Sequence, residues 1–260
     1  MRVAVCISGQ MRHFRACHDA IRRYIIEPND ADVFLHTWYD PSGAAPDLQG
    51  VDVSRAATRN SPGDDQALLG LYQPKRHLIE PPRHFRSTGI QVPDAYILRT
   101  QACLHGREGT DPRDHAIHNS YSMFYSIFTA NRLKEEYALE HGIHYDMVIR
   151  IRYDLVPTEP LRAADYDPDM IYYADLHQKD SLVSDWINMG SNAVMNAYAA
   201  TFLLLPYLNS FRFLPKADRP PNGLYPSDTC TWGNEHMIRD AMVLCRIPKA
   251  PLRGRFELRT

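Results

Sequence analysis

Long apolar runs and uncompensated charge are both scarce in this 260-residue chain. The longest largely apolar run, Ala199–Leu205, falls far short of the roughly 20 residues a membrane-spanning helix needs, so no transmembrane segment is expected. Basic residues number 29 against 31 acidic ones, a formal net charge of −2. That balance argues against a bulk electrostatic grip on nucleic acid or anionic lipid. The five cysteines (Cys6, Cys17, Cys103, Cys230 and Cys245) are scattered, odd in number and without a CxxC pair. Neither a disulfide framework nor a zinc cage fits them, whereas free thiols in a reducing compartment do. Neither GxGxxG nor GxxxxGK[ST] occurs, which counts against dinucleotide oxidoreductases and against P-loop kinases or sulfotransferases. After Met1 the chain enters a strand-like segment and not a charged-then-apolar leader, so the expected location is the cytoplasm, with peripheral contact to a membrane face left open.

What is present is ordinary globular material, 44% hydrophobic and 23% charged. A chain of this length fits one large α/β domain or two very small ones, and one domain of this size buries roughly 70–75% of its extended surface. Val3–Ser8 is a nearly continuous apolar run ending at Gly9, the pattern of a strand buried on both faces. His13 to Ile26 carries a helical apolar stripe stopped at Pro28, and Ala31–Trp38 is the next strand, so the chain opens β-α-β with parallel strands. Tyr39 to Gly63 reads as a loop, Asp64 to Leu71 as a short helix and Arg76–Glu80 as a strand closed by two prolines. Residues Arg83 to Arg113 show no period. Ala116 to His141 has the strongest helical pattern, its last turns a solvated stretch with Lys134, Glu135, Glu136 and Glu140, and Gly142 its stop. Further on, Asp146–Val156 and Ile171–Ala174 read as strands, Ala193 to about Leu208 as a helix, Phe211 to Thr231 as a proline-rich excursion and Glu235 to Leu244 as a final helix. The alternation predicts an α/β fold: one domain, a central, mainly parallel sheet flanked by helices. Ligands in such sheets bind beyond the carboxyl ends of the strands.

The chemistry-bearing residues gather at those ends. In Asp146–Val156 a period of two puts Met147, Ile149, Ile151 and Tyr153 on one face and Arg150, Arg152 and Asp154 on the other. Three charges on one face of a buried strand are expensive unless paired. One reading is a buried Arg–Asp network that only braces the sheet. The other has Asp154 hold a divalent cation on a diphosphate while the arginines orient it or meet phosphate oxygens. Ser8-Gly9-Gln10-Met11-Arg12 ends the first strand, where a glycine permits close backbone approach and the next helix offers free N–H groups to an anion. His36-Thr37-Trp38 closes the second strand, with His36 either a bonded core residue or a contact for nucleobase or ribose. Asp185 to Ser191 reads as a turn carrying a carboxylate, Trp186 and Asn188, suited to binding sugar or incidental. Glu235, at a helix start, either complements the helix dipole or serves as a general base.

Taken in order, VAVCISGQMRHF, ADVFLHTW, LYQPKRHLIEPPRHF, NSYSMFYSIFTANRLKEEY, YDMVIRIRYDLV, SDWINMGSNAVMNAY and NEHMIRD resemble bacterial and large-virus glycosyltransferases of the GT-A type, associated with surface-polysaccharide synthesis. The segments span nearly the whole chain. The resemblance implies a Rossmann-like nucleotide-binding fold and a nucleoside-diphosphate-sugar donor such as a UDP-sugar. It also implies Mn²⁺ or Mg²⁺ on the diphosphate and a hydroxyl of a glycan as acceptor. Members usually carry Asp-x-Asp at the end of a central strand; here that place reads Arg152-Tyr153-Asp154, with one carboxylate in place of two. Asp154 would bind the metal with help from Asp175 and His177, or the arginines would stand in for it. Glu235 matches the base of inverting members. The expected site is therefore Glu235 and Asp185 for catalysis, Ser8, Gly9, Gln10, Arg12, His36, Thr37, Arg150 and Arg152 for the nucleotide, and Asp154 for the metal. A metal-dependent nucleotide phosphohydrolase and a non-catalytic sugar- or nucleotide-binding module are the alternatives.

Overall fold

The computed structural model describes residues 1–40, 60–83, 85, 112–174, 183–212, 234–253 and 255–259. The first strand, β1 (Val3–Gln10), lies in the middle of a seven-stranded sheet. It pairs in parallel with β2 (Asp32–Trp38) on one side and with β4 (Met147–Ile151) on the other. Beyond β2 comes β3 (Arg76–Glu80), also parallel. Beyond β4 come β7 (Ile187–Ser191), β6 (Ile171–Tyr173) and β8 (Lys249–Pro251). Only β7 is reversed, antiparallel to both β4 and β6. The chain is thus an α/β protein with a mainly parallel, Rossmann-like sheet. A separate two-stranded sheet joins β5 (Leu155–Pro157) to β9 (Phe256–Leu258).

Helices cover both faces, which is why the central strands are apolar on both. Val3, Val5 and Ile7 face α1 (Phe14–Ile21) and α2 (Asp64–Tyr72), meeting Phe14, Cys17, Ile21, Leu68 and Tyr72. Ala4, Cys6, Phe34 and Val148 face α3 (Pro112–His141), α4 (Asn192–Ala199), α5 (Thr201–Arg212) and α6 (Asn234–Leu244). The stripe of α1 continues through a π-helical stretch, Arg22–Ile26, into a 3₁₀ turn at Glu27–Asn29 that contains Pro28. Asp30 ends it with a φ of 45°.

Several expectations are corrected. The segment Asp146–Val156 is not one strand: β4 stops at Ile151, Arg152–Asp154 form a turn, and β5 leaves for the small sheet. The stretch Asp185–Ser191 is not a turn, because its last five residues are β7. Asn188 and Gly190 hide that strand, both residues that strands disfavour. Gly190 is needed there, since a Cβ would stand 2.6 Å from Val194 Cγ1 and 2.8 Å from the Met170 carbonyl. The helix expected from Ala193 to Leu208 is two, α4 and α5, and α5 runs on to Arg212. Lys134 is not solvated but buried, bonded to the side chains of Asn192 and Asn196 (3.1 Å to the latter) and paired with Glu135 at 2.7 Å. Most of the Tyr39–Gly63 loop and the Phe211–Thr231 excursion lie outside the described residues. Among the described residues no helix is long and apolar enough to cross a membrane.

Candidate functional site

The chain leaves β1 towards β2 and β3 on one side and reaches β4 on the other, so the strand order diverges between β1 and β4. A crevice at the carboxyl ends of those two strands is where such sheets take ligands. Three groups of residues meet at that edge.

The first is the end of β1. Gly9 has a φ of 119°, and a Cβ built on it would meet nothing within 4 Å. It is therefore kept glycine by conformation and not by crowding, and the space over it is open. Thr37 Oγ1 donates to the Gly9 carbonyl at 2.8 Å and fixes the turn. Gln10 is exposed, and Arg12 Nε donates to its Oε1 at 2.8 Å. The N-terminus of α1 follows with no side-chain cap, so its first N–H groups are offered towards this edge.

The second is a buried polar row across the sheet on the α3 side. His36 of β2, Ser8 of β1, Arg150 of β4 and Asn188 of β7 are all 2% exposed or less. Arg150 Nε donates to Ser8 Oγ at 2.9 Å, and its Nη1 donates to the Asp185 carbonyl. Asn188, opposite Arg150 in register, donates through Nδ2 to the Ser184 carbonyl at 2.9 Å, while its Oδ1 is buried without a partner. His36 bonds Ser126 of α3 at 2.7 Å through Nδ1 and Glu80 at 3.0 Å through Nε2. Burial outweighs the attraction of Glu80 and lowers the His36 pKa to about 4. The ring is thus neutral near pH 7. A carboxylate can only accept, so Nε2 carries the proton and Nδ1 accepts from the Ser126 hydroxyl. Burial alone would raise Glu80, but hydrogen bonds from His36, Arg83 and Tyr125 hold it below the usual carboxylate range. The connectivity Ser126–His36–Glu80 is that of a hydrolytic triad, yet Ser126 is fully buried on the inner face of α3 and out of reach of substrate. Cys6 and Cys17 are raised by burial to about 12 and about 11, which removes both as thiolate nucleophiles.

The third is the turn after β4. Arg152 meets Asp154 through a fork, Nε to Oδ1 at 2.8 Å and Nη2 to Oδ2 at 2.7 Å. Its Nη1 lies 3.9 Å from Asp185 Oδ2. The turn is tied down by three further bonds. Arg152 N–H donates to the Trp186 carbonyl at 3.2 Å, Arg259 N–H donates to the Asp154 carbonyl at 3.0 Å, and the buried Tyr153 reaches the His36 carbonyl with its hydroxyl at 3.3 Å. Beside this edge Trp38 stacks on Tyr125 of α3 with ring centroids 5.4 Å apart, next to Phe85, Tyr121 and Phe202.

The fold therefore brings Ser8, Gly9, Gln10, Arg12, His36, Thr37, Arg150, Arg152, Asp154 and Asp185 to one edge. Within that set Ser8, His36, Thr37 and Arg150 are buried and bonded to their neighbours. Glu235 sits in the first turn of α6, and a helix that leads by a short connection into β8 starts at the carboxyl edge, which puts its backbone there too. Asp175 and His177 lie outside the described residues. Sequence reasoning missed Ser126, Glu80, Arg83 and Tyr125. The signal was small polar residues, Ser122, Ser126 and Thr129, recurring at helical spacing inside an apolar helix.

The metal expected at Asp154 does not fit this arrangement. A hard dication needs free carboxylate oxygens, and both of Asp154's are held by a guanidinium whose charge repels a cation. No group of three or more His, Cys, Asp and Glu side chains suited to a metal exists among the described residues.

No family model matches the chain, and no curated protein is similar to it at a significant level. Among solved structures it is similar to a glycosyltransferase involved in the glycosylation of the major capsid of PBCV-1. That likeness spans 97% of this chain and 82% of that one at 7% identity, with a TM-score of 0.39. A likeness so distant adds nothing about activity. The class of protein defined here is an α/β protein with a polar, arginine-bearing sheet edge at its strand switch point.

Proposed function

We propose that this chain is a glycosyltransferase that moves a sugar from a nucleoside-diphosphate sugar to a hydroxyl of a glycan acceptor, in surface polysaccharide synthesis. The observation that carries the reading is the open strand end at Gly9 beside the Arg152 turn, at the point where the strand order diverges. In this reading the nucleotide lies over the Gly9–Arg12 turn, where Gln10, Arg12 and the uncapped N–H groups of α1 meet its phosphates. Thr37 and Ser8 hold that turn and the Arg150 side chain from below. Asp185 orients sugar hydroxyls, and Glu235 takes the proton of the attacking hydroxyl, as an inverting transfer requires.

The test is a thermal-shift and calorimetric screen of the purified chain against UDP, GDP, CMP and dTDP sugars, followed by product analysis. One nucleotide class raises the melting temperature, and turnover releases the nucleoside diphosphate. Release of inorganic phosphate instead identifies a phosphohydrolase. Binding without any turnover identifies a binding module. A chain that neither binds UDP or GDP nor hydrolyses any sugar nucleotide refutes the proposal.

A further inference from the structure

We infer that the donor's diphosphate is neutralised by the guanidinium of Arg152 in place of a divalent cation, and that Asp154 is a positioning residue that aims that guanidinium. The inference rests on the nucleotide-sugar reading above and deepens it.

The ordering of charge from protein to water carries it. The Asp154 side chain is 8% exposed and that of Arg152 is 22% exposed. The carboxylate thus lies underneath and the guanidinium lies towards solvent. A cation approaching from solvent meets the positive group first and is repelled, whereas a phosphate is attracted. The carboxylate beneath does for the arginine what a second-layer acceptor does for any charged ligand: it fixes orientation before the substrate arrives.

The turn that carries both residues is rigid. Tyr153, between them, is fully buried with its hydroxyl on the His36 carbonyl, and the backbone is bonded to Trp186 on one side and Arg259 on the other. Asp185 Oδ2 flanks the guanidinium from β7's side. β1 runs in parallel beside β4 and passes its last partner, Ile151, by three residues, so Gly9 and its open face run alongside this turn. A diphosphate lying over Gly9 is therefore next to Arg152.

The chemistry balances without a metal. The bond between sugar C1 and the β-phosphate oxygen breaks, and its electron pair stays on that oxygen. The acceptor oxygen forms the new bond to C1, and its proton passes to a carboxylate base. One negative charge develops on the departing diphosphate, where charge-assisted hydrogen bonds from a preset guanidinium are worth most.

The experiment uses the whole chain, stripped with EDTA, and titrates UDP and GDP with EDTA, Mn²⁺ or Mg²⁺ present; donor turnover is measured in parallel. Expected is binding and turnover in EDTA within about threefold of the values with metal, a difference of under ~1 kcal/mol. Arg152→Ala loses affinity by roughly ten- to a hundredfold, the range for a charge-assisted hydrogen bond. That change strips the partner from a buried carboxylate, so Arg152→Lys, which keeps the charge without the fork, and the Arg152→Ala/Asp154→Ala double variant are measured beside it. Both lose affinity while circular dichroism reports a native fold. Asp154→Asn raises KM more than it lowers kcat and leaves the response to metal flat. Binding that needs Mn²⁺ or Mg²⁺ and disappears in Asp154→Asn overturns the inference and leaves the glycosyltransferase reading standing. Metal-free binding that survives in Arg152→Lys and in the double variant also overturns it. Failure to bind either nucleotide under every condition takes down the underlying reading and this inference with it.

Discussion

Two charge networks stand at the same edge of the sheet, and they differ in where their cations lie. On the β2–β3 side, Ser126, His36 and Glu80 form a closed chain whose imidazole is wholly buried and satisfied at both nitrogens. Its outer cation, Arg83, covers Glu80 from solvent and lies over the Tyr125 ring at 4.8 Å. On the β4 side, Arg150 is buried and bonded to Ser8 and the Asp185 carbonyl, while Arg152, two residues on, faces outward between two carboxylates. The difference teaches that identical side chains two residues apart divide into a sealed brace and an outward charge according to where the strand ends. Inside β4 the pairing of neighbours closes around Arg150. Past Ile151 the ladder thins to the one bond from Arg152 N–H to the Trp186 carbonyl, and the side chain of Arg152 is held by Asp154 of its own turn with Asp185 beside it.

The sharpest way to break this comparison is Arg150→Met. It leaves Ser8 Oγ and a buried carbonyl without their charged donor, and a loss of about 3 kcal/mol is expected by urea denaturation. A variant as stable as the parent would put Arg150 among the open groups.

Acid titration tests the closed network. The folded pKa of His36 is lowered to about 4 from 6.5, so between those values the unfolded chain binds more protons than the folded one. Stability therefore rises with pH through this window, is fully present above about pH 6.5, and falls on acidification by roughly 3 kcal/mol from this group alone. Glu80, held below its ordinary value, adds a loss in the same direction at lower pH. Unfolding followed from pH 7 to 4 shows that slope, and His36→Gln flattens it.

Gly9→Ala is a smaller perturbation. The added methyl meets no atom within 4 Å, so the cost is the positive φ alone, about 1–2 kcal/mol. Nucleotide affinity falls with it, because the methyl intrudes on the open face; calorimetry with UDP and GDP checks this.

Arg83→Ala has the least effect. The arginine is half exposed, and the loss of its pair with Glu80 costs under ~1 kcal/mol in thermal denaturation.

Much of the fold was legible because burial on both faces writes continuous apolar runs. The strands at 3–10 and 32–38 carry that mark and the long helix ending at His141 a helical stripe, whereas the edge strand at 76–80, with no fully buried residue, was legible from the two prolines that close it. The rest was not legible for specific reasons. β7 contains Asn188 and Gly190, residues that strands disfavour; what admits them is the bond to the Ser184 carbonyl and the close approach of Val194 and of the Met170 carbonyl, contacts that a period of two does not encode. β8 and β9 are three residues each, too short to show a period. The end of β4 was missed because Tyr153 and Leu155 prolong the alternation after the ladder has stopped. Of the candidate site, the residues at the carboxyl ends could be named from sequence, but not which of them are sealed. Ser8, His36 and Arg150 are closed by Ser126, Glu80 and Asp185, which come from elements far along the chain.

The sequence by itself determined the α/β alternation, the parallel opening of the sheet and the cluster of charges after residue 149, because local period and composition encode each of these. Only the tertiary structure decided that Arg150 is a brace, that Arg152 is the outward charge and that Asp154 spends both oxygens on it. Burial and partner choice are set by segments distant in the chain, and a lone strand carries no record of what will lie against it.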